Sequence, residues 1–316
     1  MNVPARLSAF LVLLAVAFGG AALLGAAVDP TDEETTPAGG GHSVADDAHP
    51  VGGDELRGEG EHGDTPPSAA GEPHGGEGAS IDGDLSGLAV SQDGFTLEPD
   101  RTNYAGGGAK RFSFRIVDEG GHVLRDEYEV ESERELHLVV VRRDTATFEH
   151  VHPRLDEDGT WSVTLELPRP GMYRAFADFQ VDGVKRALAT DLLVGGDFKP
   201  KPLPEPGPVN EVDGYTVGVR SAQPLRAGRA NALTFSIGRR GRPVDDVQPY
   251  LGARGHLVVL RAGDLGYLHV HPEEDVDGNA VAFAATFPTA GLYRLFFQFR
   301  VGDRVRMVPY TIEVPR

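Results

Sequence analysis

The chain has 316 residues, 40% of them apolar, which is enough for two domains with real cores. It contains no Cys and only Met1, Met172 and Met307; this excludes disulfides, Cys-ligated zinc, iron–sulfur clusters, a lipidated Cys and a Met-rich Cu(I) site. The formal net charge of −18 is concentrated in residues 29–84, which carry 15 Asp plus Glu against Arg57 alone, and without a basic surface nucleic acid is excluded as a partner.

Residues 7–28 form one apolar run of 22 residues, preceded by Arg6 and followed by acidic residues. That charge order fits export with the N-terminus inside. A secretory signal has an apolar core of about 7–15 residues and a spanning helix needs about 20. Two readings therefore stand for residues 1–28: a signal peptide cleaved near Gly25 and Ala27, or an uncleaved apolar helix serving as membrane anchor. Both place the folded part outside the cytoplasmic membrane, anchored to its outer face or secreted. Residues 29–84 are Gly, Pro, Asp, Glu, Ala and His with almost no large apolar side chain. Such a stretch cannot offset its ordering entropy and is expected to be a disordered acidic linker. Its four histidines (His42, His49, His62, His74) form no tract and read as polar residues of a solubilising spacer, the alternative being weak collection of divalent cations by the tether.

Beyond the linker the chain repeats itself. FSFRI (112–116) matches LTFSI (233–237), Asp158-Gly159 matches Asp277-Gly278, and PGMYRAFADF (170–179) matches AGLYRLFFQF (290–299). The duplication defines domain 1 over 85–196, a Pro-rich spacer over 197–209 and domain 2 over 210–316. Short β-branched or aromatic segments separated by turns such as DEDG and DVDG predict strands throughout, with no sustained helical period. About seven strands per copy point to an all-β chain of two tandem immunoglobulin-like β-sandwiches. Tyr173 and Tyr293 are expected to hydrogen-bond back across a corner of each sandwich. Trp161, replaced by Ala280 in the second copy, is expected in the core.

Each copy carries His-x12-His-x-His-Pro: His137, His150, His152 and Pro153 in the first, His256, His269, His271 and Pro272 in the second. Each set spans a predicted hairpin. His150 and His152 share a face by the period of two. With an even loop centred between Asp144 and Thr145, position 137 lies opposite 152 and the three rings meet on that face; an odd loop separates them. Opposed Cβ atoms about 4.5–5.5 Å apart let imidazoles converge on one ion at about 2.0–2.1 Å. The same face carries Val139, Val141 and Phe148, and Val258, Leu260 and Tyr267 in copy two. A largely apolar face keeps open the reading that these histidines are fold determinants.

LHLVVVRRDTATFEHVHP, followed by DGTWSV and PGMYRAFADF, resembles exported bacterial β-sandwich proteins described as YtkA-like or heavy-metal-associated. The resemblance covers 85–196, and 210–316 more loosely. It implies an extracytoplasmic sandwich module with a suspected role in metal handling or the envelope. The expected function is accordingly a membrane-tethered protein binding a divalent ion, Cu(II) or Zn(II), at one His triad per domain, with Asp126 as a possible helper. The alternative is a structural module that meets another envelope protein. Zinc hydrolysis is a third reading. It lacks a repeated general base beside the triads and a nucleophile motif such as G-x-S-x-G, so the chain is expected not to be an enzyme.

Overall fold

The structure, a computed structural model, describes residues 86–273 and 280–316, which belong to one compact unit. The expected apolar helix and acidic linker lie outside the described residues. Within them there are twenty strands and no helix, and the fold is two tandem immunoglobulin-like β-sandwiches.

In domain 1 one sheet runs, in spatial order, β1 (Ser91–Gln92), β2 (Phe95–Pro99), β4 (Gly108–Val117), β8 (Trp161–Leu167) and β7 (Arg154–Leu155). The facing sheet runs β3 (Asn103–Tyr104), β10 (Val184–Val194), β9 (Gly171–Val181), β5 (Leu136–Arg142) and β6 (Phe148–Val151). Domain 2 repeats the plan. One sheet holds β11 (Val209–Val212), β12 (Tyr215–Ser221), β13 (Ala230–Arg239), β18 (Ala280–Thr286) and β17 (Val270–Glu273), with β14 (Arg242–Pro243) on β13; the other holds β16 (Tyr267–Leu268), β15 (His256–Arg261), β19 (Gly291–Val301) and β20 (Arg304–Val314). Each sandwich closes on its own core: Leu136, Leu138, Val140, Phe112, Phe114 and Trp161 in the first, Leu257, Val259, Phe235, Phe283 and Phe297 in the second. The Tyr173 hydroxyl donates to the Arg169 carbonyl and that of Tyr293 to the Thr289 carbonyl, each at 2.8 Å, as the corner reading requires.

A third apolar cluster lies between the sandwiches. Val139, Val141, Phe176, Ala187 and Ala189 of domain 1 meet Val258, Leu260, Leu265, Tyr267 and Phe296 of domain 2. Strand alternation explains it: in β5 the even positions enter the domain core and the odd positions face the other sandwich. Every residue of β5 is therefore buried, the near-continuous apolar run expected of a strand covered on both faces. The contacts are reciprocal. Phe148 stacks on Phe296 with centroids 4.1 Å apart, and its counterpart Tyr267 meets Phe176 at 5.4 Å.

Two chain segments tie the pair together. Ser86 exchanges two backbone hydrogen bonds with Tyr267, both 3.0 Å, while Gly87 donates to Ala187 and Ala189 donates to Ala89. Gly87 has φ +67°, and a Cβ there would stand 2.5 Å from the Phe176 ring. The Pro-rich spacer is docked on domain 1. The buried Arg142 donates to the Lys199 carbonyl at 2.7 Å, pairs with Asp144 at 3.2 Å and lies over Phe198, while Asp144 accepts from the Lys201 amide.

Phe296 is 1% exposed, and removing a buried phenyl ring costs about 3–5 kcal/mol. Phe296→Ala is expected to move the denaturant unfolding transition down by an amount in that range. A shift under about 1 kcal/mol would show that the seam is not a true core.

Candidate metal centre

The pairing register fixes the faces. β5 and β6 pair Leu138 with Val151 and Val139 with His150, so His137 falls opposite His152; β15 and β16 pair Val259 with Leu268 and Leu260 with Tyr267, the same even parity. His137 and His150 therefore share the face that meets domain 2, alongside Val139 and Phe148.

The two copies then diverge. In domain 1, β6 stays on the inner sheet through Val151, and the chain crosses to the other sheet around His152 and Pro153. In domain 2, β16 ends at Leu268 and the chain crosses at His269, so that His271 is exposed and paired in register with Ala284 of β18. The expectation of one triad per domain is thereby corrected: among the described residues the ligand atoms of His256, His269 and His271 do not gather within 4.8 Å of one another. His256 meets the first copy instead. One nitrogen from each of His137, His150 and His256 lies within 4.8 Å of the others. The His256 ring lies 5.6 Å from His137 and 4.7 Å from His150, centroid to centroid. His152 stands beside them, 5.1 Å from both His137 and His150, and its Nε2 is buried without a hydrogen-bond partner. Asp126 is exposed and takes no part in this cluster among the described residues.

Hydrogen bonds on the far side of two rings set their tautomers. His137 Nε2 lies 3.1 Å from the Glu131 carbonyl oxygen, which only accepts, so Nε2 carries the proton. His150 Nδ1 lies 2.7 Å from Gln298 Oε1 and donates to it. In neutral imidazoles the remaining nitrogens, His137 Nδ1 and His150 Nε2, are then both bare, and they face each other at 3.1 Å. Two lone pairs at that distance repel unless a cation sits between them. Orientation of ligand rings by carbonyl or carboxyl partners is also the usual outer shell of a metal-bound His.

His150, His152 and His256 resist protonation. Burial, reinforced by the neighbouring His256 and His137, holds the His150 pKa well below its ordinary value. Burial and His137 push His256 down to about 3, and burial, His137 and Arg134 push His152 down to about 4. These three rings are thereby held neutral at physiological pH, the state in which imidazole binds metals.

Residues 89–196 and 210–316 each match the family described as a domain of unknown function (DUF8832). The chain belongs to this family, in two tandem copies. No curated protein sequence matches it. Among solved structures it is similar to the Escherichia coli adhesin FdeC, at 16% identity over 72% of this chain and 66% of that one, with TM-score 0.24. It is also similar to trypsin-activated Escherichia coli alpha-2-macroglobulin, at 16% identity over 72% of this chain and 16% of that one, TM-score 0.25. A chimeric titin Z1Z2 gives 13% identity over 69% of this chain and 93% of that one, TM-score 0.21. The chain thus spans less than two thirds of the adhesin and about a sixth of the macroglobulin, and likenesses at these scores carry no functional inference.

Between pH about 6.5 and the depressed values, an unfolded chain holds protons on these three histidines that the folded protein refuses. Unfolding takes up protons, so stability rises with pH across that window and falls on acidification. Glu149, raised to about 7 mainly by burial, acts in the opposite sense, one group against three. Melting in chelator is expected to drop steadily from pH 6.5 to 4.5. Replacing His150, His152 and His256 together with Gln is expected to flatten the slope, and an unchanged slope would contradict the assignment.

Proposed function

We propose that the protein is an extracytoplasmic, membrane-tethered binder of one Zn(II) or Cu(II) ion at the seam between its two sandwiches. His137 and His150 of domain 1 and His256 of domain 2 would hold the ion, and His152 stands beside them. The observation that carries the reading is His137 Nδ1 and His150 Nε2 facing each other at 3.1 Å, while the far nitrogens of both rings are turned to oxygen acceptors. Two ligands at about 2.0–2.1 Å on a tetrahedral ion lie about 3.3–3.4 Å apart, so small ring movements admit the metal. The all-nitrogen donor set, with no Cys in the chain, suits Zn(II) and Cu(II) over softer ions. Export and tethering rest on the apolar run 7–28 and the acidic stretch behind it.

Because the ligands come from both domains, binding favours the docked arrangement. An ion at 100 times its dissociation constant adds about 2.7 kcal/mol. Titration of the full chain with Zn(II) is expected to show one tight event and a rise in melting temperature. Both are lost in His256→Gln, although that residue lies in the other domain from the remaining ligands. Gln298→Leu removes only the tautomer-setting acceptor and is expected to weaken binding about 10–100-fold. Uptake equal in wild type and in the variant lacking all six repeated histidines would end the proposal. The rings would then be polar struts of the seam, the reading of a structural envelope module.

A further inference from the structure

The duplication gives the His150–Gln298 pair a counterpart across the seam. At the equivalent positions His269 of domain 2 faces Asp178 of domain 1, with Asp178 standing 120 residues before Gln298 in the repeated YR-x-F segment. The exchange of Gln for Asp changes the chemistry. A carboxamide orients a ring, whereas a carboxylate is itself a metal ligand.

We propose that His269 Nδ1 and Asp178 Oδ1 form a second, weaker divalent-cation site, completed by water. The far-side bonds repeat the logic of the first site. The Ser86 hydroxyl lies 3.3 Å from both the Tyr267 carbonyl and His269 Nε2; when it donates to the carbonyl, its oxygen accepts from Nε2. Nδ1 is then bare. Asp178 Oδ2 accepts from the Tyr267 hydroxyl at 3.0 Å, which turns Oδ1 toward the His269 ring. Nδ1 and Oδ1 face each other at 3.8 Å. That is too long for a hydrogen bond, and it matches two ligands at about 2.0–2.2 Å on one ion, opened to an angle of about 130°. The side chains are 22% and 18% exposed, so water reaches the pair to fill the remaining positions. They line the same cleft as His137 and His256, which places the two sites side by side. Two protein ligands instead of three or four make it the weaker of the two.

The pair takes the same class of ion as the proposed centre, so the inference shares that reading's metal chemistry but none of its ligands. The test is calorimetric titration of the full chain with Zn(II) alone. Wild type is expected to take up one more ion than Asp178→Asn/His269→Gln, the extra ion binding in the weaker phase, with the tight phase unchanged. Asp178→Asn by itself keeps the shape and can still accept from Tyr267, and it is expected to lose the same ion, which separates loss of a ligand from misfolding. Equal stoichiometry in wild type and both variants overturns the second site and leaves the first standing, the pair then being an imidazolium–carboxylate contact. Loss of the tight phase in either variant also overturns it. Absence of any tight phase in wild type instead removes the first.

Discussion

The structure depends on the packing of two inner sheets against each other through faces that a lone sandwich would show to water. Val139, Val141 and Phe176 on one side and Val258, Leu260 and Phe296 on the other are almost fully buried there. Each inner sheet is covered on both faces, and the tandem is one stack of sheets with three apolar layers. His137, His150 and His256 sit on these same faces at the margin of the packing. Their convergence is a consequence of domain docking and not of either hairpin alone.

Duplication followed by divergence accounts for the rest. The reciprocal contacts Phe148–Phe296 and Tyr267–Phe176 show that each copy presents the same surface to the other. From that common plan the copies have moved apart at two points. The second hairpin crosses to its other sheet earlier, which pairs His271 with β18 instead of β15. The residue opposite each H-x-H step has become Gln298 in one copy and Asp178 in the other. A symmetric arrangement has thus become a partly buried imidazole cluster on one side and a partly exposed His–Asp pair on the other.

Much of the fold was legible. The matched segments, the strand alternation and the turn residues identified two sandwiches, and the corner tyrosines behave as the pattern implied. The sequence left the parity of the loops open, and the pairing register settles it as even. The apolar neighbours of the histidines, which argued for a structural role, were the visible trace of an interface. What the spacing did not carry was the partner of that face. A period of two says that a face is apolar and that rings share it, yet not whether it meets its own domain or another. His256 was therefore grouped with its sequence neighbours. Gln298 and Asp178 were overlooked because they carry no motif; their aligned position in the repeated YR-x-F segment was the only available signal. The strand crossing at His269 depends on where a ladder ends, and pairing, not composition, decides that.

The most direct measurement is nitrogen-15 NMR of the imidazole rings at neutral pH, in chelator and then with Zn(II). The account predicts that in chelator the His137 Nε2 and His150 Nδ1 carry protons while His137 Nδ1 and His150 Nε2 do not. On adding one equivalent of Zn(II), those two bare nitrogens and one of His256 shift to metal-bound values. A proton on either facing nitrogen, shared between the rings as an ordinary hydrogen bond and undisturbed by zinc, would contradict it.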